Sequence, residues 1–195
     1  MAPGLKQVDK YTIFGPKNFL TAYAPRNADG TINVVVEIPT GTVAKWQVTK
    51  PDGTLKWEFK KGVPREVKYL GYPGNYGMLP RTLLSKEWGG DGDPLDVIVL
   101  GPAFPRGAVV KAKVIGVLKL LDGGEMDDKI LAVAQSSPLA AVDTPEQMDK
   151  KFPGVLSIVK IWFESYKGPG KLKSDGYKGP ADANKIIDAA RSEFK

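Results

Sequence analysis

The sequence contains no cysteine and no histidine. That excludes disulfide staples, thiolate nucleophiles, Cys- or His-ligated zinc, Ser-His-Asp triads and imidazole general bases. A metal ion held by this chain must take oxygen ligands, which favours Mg²⁺, Mn²⁺ or Ca²⁺. Acid–base work falls to carboxylates, lysine, tyrosine or metal-bound water. Long apolar runs are also missing. No stretch approaches the roughly 20 residues of a membrane-spanning helix, and residues 1–10 lack the apolar centre of a signal peptide. The expected location is the cytoplasm, with no membrane partner.

What is present is a chain of 195 residues, 42% hydrophobic and 26% charged, with a net charge of +6. The positive balance favours an anionic partner. The 22 glycines and 16 prolines predict many turns and short strands rather than a helix bundle. The length suits one domain over residues 1–195.

Residues 1–30 show no clear period and read as an arm or short edge element. Ile32–Ile38 is brief and β-branched, which predicts a strand. Val43–Thr49 and Leu55–Phe59 read as a hairpin about the Pro51-Asp52-Gly53 turn. Gly71–Gly77 is too rich in Gly, Pro and Tyr to predict a regular element. Leu95–Leu100, Ala108–Leu121 and Ile130–Ala134 read as further strands. The C-terminal third predicts helices: one capped by Thr144 with Pro145 following, a largely buried one over Val155–Tyr166, and an amphipathic one over Pro180–Phe194. Lys167–Gly179 reads as a mobile loop. Together these predict an α+β fold, with a small β-barrel core and flanking C-terminal helices.

The sharpest chemical signal is Asp91-Gly92-Asp93-Pro94-Leu95-Asp96. Three carboxylates in six residues repel one another, and a hard divalent cation relieves that repulsion. An EF-hand does not fit, because its fifth and twelfth positions would be Leu95 and Pro102. A second acidic cluster, Asp122, Glu125, Asp127 and Asp128, joins two apolar strands. Two such loops could jointly hold two divalent ions, as in two-metal phosphoryl-transfer sites. The third feature is cationic and phenolic: Lys45, Arg65, Tyr72, Tyr76, Lys129, Tyr166 and Lys167, groups that clamp phosphoryl oxygens. Glu37 lies in an apolar strand, facing either solvent or a polar cavity.

On these residues the sequence closely resembles the family I soluble inorganic pyrophosphatases. The family signature stands here as Asp91-Gly92-Asp93-Pro94-Leu95-Asp96-Val97. Four further blocks follow the family's order: Glu37-Ile38-Pro39 with Lys45; Tyr72-Pro73-Gly74-Asn75-Tyr76-Gly77; Gly116-Val117-Leu118 through Asp122, Asp127 and Lys129; and Trp162–Lys167. The resemblance implies an OB-like five-stranded barrel and Mg²⁺-dependent hydrolysis of pyrophosphate, with several Mg²⁺ ions and Mn²⁺ as a substitute. It implies Asp91, Asp96 and Asp127 as ligands of two ions sharing the attacking water, and Asp122 as a ligand of the ion arriving with substrate. Glu37 would be an acidic member of the same metal-holding cavity, and Asp93 the general base. Lys45, Arg65, Tyr76, Lys129, Tyr166 and Lys167 would hold the phosphate ends, and Tyr72 matches an active-site tyrosine. A homo-oligomer is implied, with a hexamer favoured over a dimer. Gln47 stands where the family usually has an acidic residue.

Two other readings compete. A basic OB-type module could grip single-stranded nucleic acid, but three carboxylates in one turn would repel a phosphate backbone. A related metal-dependent phosphohydrolase could act on nucleotides or phosphate esters, although no base-binding pocket is evident. Pyrophosphate, without a nucleic-acid partner, is the preferred reading.

Overall fold

The computed structural model describes residues 2–84 and 92–194. Its strands are β1 (Lys6–Asp9), β2 (Thr12–Phe14), β3 (Ile32–Ile38), β4 (Trp46–Val48), β5 (Leu55–Trp57), β6 (Phe59–Lys60), β7 (Val63–Pro64), β8 (Asn75–Met78), β9 (Asp96–Leu100), β10 (Val109–Asp122), β11 (Glu125–Met126), β12 (Lys129–Ala134) and β13 (Leu172–Lys178). The helices are α1 (Pro145–Lys151), α2 (Val155–Ser165) and α3 (Pro180–Glu193).

Five strands close into a ring. β3 pairs antiparallel with β8, β8 with β9, and β12 with β10, while β9 and β12 run parallel. The first residues of β10 return to β3, with Val109 opposite Val35 and Ala112 opposite Ile32. In chain order the ring reads 1-2-3-5-4-1, an OB-type Greek-key barrel. Both faces of its strands are covered. Val97, Val99, Ile130 and Ala132 pack in one cluster with Ala183 and Ile187 of α3. Their neighbours Ile98, Leu100, Leu131 and Val133 pack in another, with Met148 of α1 and Leu156, Val159 and Trp162 of α2. This is the period-two alternation of strands buried on both sides.

The hairpin about Pro51-Asp52-Gly53 forms as the turn chemistry predicts. Trp46 pairs with Trp57 and Val48 with Leu55, although the strands are shorter than the β-branched runs suggest. Asp52 accepts from the Thr54 amide and hydroxyl and holds the turn together. The N-terminal hairpin β1–β2 continues this sheet in the order β1-β2-β5-β4. Thr144 caps α1 as expected, accepting from the Gln147 amide at 3.3 Å.

Three expectations are corrected. Gly71–Gly77 is not wholly irregular: Asn75–Met78 is a ring strand. Gly77 is required there because a Cβ would stand 1.9 Å from the Val35 carbonyl oxygen, so a residue read as a breaker instead permits close strand approach. Lys167–Gly179 is not simply a loop: Leu172–Lys178 pairs with the far half of β10. A polar, lysine-rich sequence is tolerated on such an added edge strand. Helix α2 is not apolar all round in use. Leu156, Val159, Trp162 and Phe163 are buried, whereas Ile158 and Ile161 are 63% and 57% exposed, because the barrel covers one side only.

Candidate active site

A cavity of about 540 Å³ opens where the barrel meets the β4–β5 hairpin. Of the residues singled out from sequence, Glu37, Lys45, Arg65, Tyr76, Asp93, Asp96, Asp122, Asp127, Lys129, Tyr166 and Lys167 all line it. Ring closure brings together Glu37, Tyr76, Asp96, Asp122 and Lys129 from β3, β8, β9, β10 and β12, with Asp93 and Asp127 beside them; Lys45 and Arg65 come from beside β4 and β7, and Tyr166 and Lys167 from the end of α2. Asp91 lies outside the described residues.

Glu37 reaches the cavity through a strand irregularity. Val36 pairs with Gly77 and Ile38 with Tyr76, leaving Glu37 as an extra residue on β3. A bulge of this kind re-aims a side chain out of the regular alternation. Its buried carboxylate accepts from the Val48 amide at 2.6 Å, and burial pushes it up to about 8. Glu37 therefore faces the cavity rather than solvent.

Lys129 is the electrostatic centre. Its side chain is 4% exposed, and its Nζ lies 2.6 Å from both Asp96 Oδ2 and Asp127 Oδ1. The two carboxylates thus converge on one ammonium. Burial alone would lower Lys129, but the two aspartates outweigh it and hold the ammonium well above its usual range. Burial would likewise raise Asp96, and the Lys129 and Lys45 charges pull it below the usual carboxylate range. Burial lowers Lys45, whose Nζ stands 4.8 Å from the Tyr76 ring centroid. Lys167 bonds Asp122 at the opposite rim.

Tyr72 is not among the residues that line the cavity. It is almost fully buried behind the wall, with ring centroids 5.1 Å from Tyr76 and 4.4 Å from Trp162. Trp162 in turn stacks on Tyr166 at 4.6 Å and donates to the Leu70 carbonyl at 2.9 Å. The aromatic stack stiffens the wall carrying Tyr76 and Tyr166; burial also raises the Tyr72 phenol well above its usual range.

Comparison with known proteins shows what this arrangement belongs to. The family profile of the inorganic pyrophosphatases matches residues 34–195. The chain belongs to the family I soluble inorganic pyrophosphatases. It is 38% identical over 187 residues to an inorganic pyrophosphatase of Drosophila melanogaster, which covers 88% of this chain and 55% of the relative. The type I inorganic pyrophosphatase of Toxoplasma gondii superposes with a TM-score of 0.87 at 27% identity, covering 97% of this chain and 96% of that one. A Trypanosoma cruzi vacuolar soluble pyrophosphatase, solved in complex with PPi, superposes with a TM-score of 0.79 at 30% identity, covering 89% of this chain and 73% of that one. The chain spans about half the length of the Drosophila relative. Among the described residues no helix is long and apolar enough to cross a membrane.

Within this pyrophosphatase fold, two charged cavity residues escaped sequence reasoning. Lys50 pairs with Asp93 at 2.5 Å, and Glu58 pairs with Arg65 at 2.6 Å. Burial would lower the Arg65 guanidinium, and the Glu58 bond and charge more than offset this. The hairpin register held the signal for Glu58. Since Trp46 pairs with Trp57, residue 58 must face Lys45. Gln47, also in the cavity lining, brings no charge to it.

Proposed function

We propose that this chain hydrolyses inorganic pyrophosphate to two orthophosphates with divalent metal ions, Mg²⁺ or Mn²⁺ in its place. The observation that carries the reading is the interleaving in one cavity of Asp96, Asp122 and Asp127 with Lys45, Arg65, Lys129 and Lys167. A nucleic-acid groove or simple anion site would have no use for carboxylates interleaved with its cations. The Trypanosoma relative holds PPi, which supports the same substrate class here.

The donors suit hard cations in kind, being all oxygen: among the described residues no three carboxylates gather at one point, but Asp96 and Asp127 converge on the single ammonium of Lys129. Asp96, Asp127 and Asp122 would hold the ions, with Asp91 and Glu37 completing the acidic set. Bound there, the ions would neutralise substrate charge and acidify a water. Asp93 takes the water's proton as general base. It lies at the cavity rim, where Lys50 orients its carboxylate. Lys45, Arg65, Lys129 and Lys167 grip the two phosphate ends and stabilise charge on the departing one. Tyr76 and Tyr166 add hydroxyl donors, and Tyr72 supports them from behind. No covalent enzyme intermediate is required.

The same reading treats residues 1–195 as one domain, since β1–β2 extends the sheet that carries Gln47. It expects a homo-oligomer, hexamer before dimer, with the exposed Ile158 and Ile161 available to a second copy. Sedimentation measures that assembly. The activity is tested by phosphate release from pyrophosphate with and without Mg²⁺, in the wild type and in Asp93→Asn. Fast Mg²⁺-dependent release that collapses in the variant supports function and base together. Release that survives the substitution removes Asp93 from the role, and no release with any divalent metal overturns the function.

A further inference from the structure

Glu58 is an unexpected side chain to find in a cavity that must receive a polyanion. It lies in the wall with Lys45 and Arg65, and its Oε1 accepts from Arg65 Nη1 at 2.6 Å. The backbone around the pair is fixed from several sides. The Arg65 amide donates to the Glu58 carbonyl at 2.7 Å, the Glu58 amide to the Lys45 carbonyl at 2.8 Å, and the Lys45 amide to the Arg65 carbonyl at 3.0 Å. Trp57 Nε1 also donates to the Arg65 carbonyl, at 2.8 Å. The hairpin therefore does not need the side-chain pair to hold its register. The pair instead faces the cavity, with side chains 24% and 30% exposed, half-withdrawn from the water that makes surface pairs weak.

We propose that Glu58 is a positioning residue for substrate binding, which holds the Arg65 guanidinium over the cavity before the substrate's phosphate end arrives. The inference rests on the pyrophosphate reading above. A free arginine side chain carries about 2 kcal/mol of rotamer entropy, and ordering it in advance removes that cost from the binding step. The guanidinium has five N–H donors in a planar fork. A bond at Nη1 leaves the rest of the fork for phosphoryl oxygens. On this side of the cavity Gln47 brings no charge, so Glu58 also balances Arg65 while the site is empty of substrate.

The test combines steady-state kinetics with calorimetric binding of magnesium methylenediphosphonate, using Glu58→Gln, Arg65→Ala and the double variant. Loss of the oriented guanidinium predicts about a tenfold rise in KM for pyrophosphate in Glu58→Gln, with kcat within about threefold of wild type. Diphosphonate binding should weaken by a similar factor, and the double variant should be no worse than Arg65→Ala alone. Should Glu58→Gln fail to fold, Glu58→Asp shortens the reach, keeps the charge and is expected to give a smaller rise in the same direction. KM and diphosphonate affinity within about twofold of wild type, or losses that multiply in the double variant, overturn the inference. A wild type that binds diphosphonate but does not hydrolyse pyrophosphate sinks the proposed function alone, and the binding comparison still decides the role of Glu58. A wild type that neither binds diphosphonate nor hydrolyses pyrophosphate overturns both.

Discussion

The two walls of the cavity are built differently. On the barrel side, Lys129 is almost wholly buried between Asp96 and Asp127. On the hairpin side, the Lys50–Asp93 pair is about half exposed, at 51% and 54%. Ion pairs of similar length thus sit in different dielectric surroundings. Removing the buried ammonium leaves two carboxylates, 31% and 28% exposed, repelling each other with only partial solvent between them, whereas an exposed pair loses little when broken. The barrel wall is where charge is tied into the fold. The hairpin wall is where charge can be adjusted with little cost to stability, and its Lys50 pairs with the base candidate Asp93 from the turn before β9.

The strongest test of this contrast is Lys129→Met. It leaves the part-exposed Asp96 and Asp127 facing each other without their cation, and the folded state should lose about 1.5–3 kcal/mol in urea unfolding with a chelator present. A loss under about 1 kcal/mol would make the two walls equivalent. Asp93→Asn should act the opposite way. Hydrolysis should fall about 10²–10⁴-fold while stability stays within about 0.5 kcal/mol, as read by urea unfolding beside phosphate release.

The pH dependence of stability separates the walls further. Burial raises folded Glu37 to about 8 from its ordinary 4.5. Between those values the folded chain keeps a proton that the unfolded chain releases. The Glu37 contribution is therefore full below about 4.5, declines as pH rises toward about 8, and is flat above. Glu37→Gln should remove this decline, so the wild-type and variant stability profiles converge at low pH and separate as pH rises. Parallel profiles would count against the buried placement of Glu37. Least affected should be Lys50→Ala, with a stability change of about 0–1 kcal/mol, shrinking further in high salt.

Much of the barrel was legible because β-branched runs such as Ile32–Ile38 and Ile130–Ala134 alternate between two covered faces. Asn75–Met78 was hidden because its glycine serves a neighbouring strand, a relation no local window contains. Leu172–Lys178 was hidden because its strand character comes from β10 and not from its own residues. At the site, the Asp93–Asp96 turn and Lys129 stood out by density of charge. Glu37 needed a bulge to reach the cavity, and Glu58 and Lys50 needed the register of a hairpin. Tyr72 shows the reverse case: its motif points to the substrate, and the packing puts it behind the wall.

The closure of β3 onto β10 also dictates when the site can exist. Ile32 meets Ala112, so the ring cannot shut until most of the strand-forming sequence is available. Lys129 and Lys167 come later still in the chain. Contacts this distant in sequence slow folding, because loop entropy must be lost before they form. An emerging chain would carry its cationic hairpin for some time before the carboxylates that complete the cavity are made. Fragments ending before β12 should bind anions at most, and full catalytic competence should wait until α2 has delivered Tyr166 and Lys167.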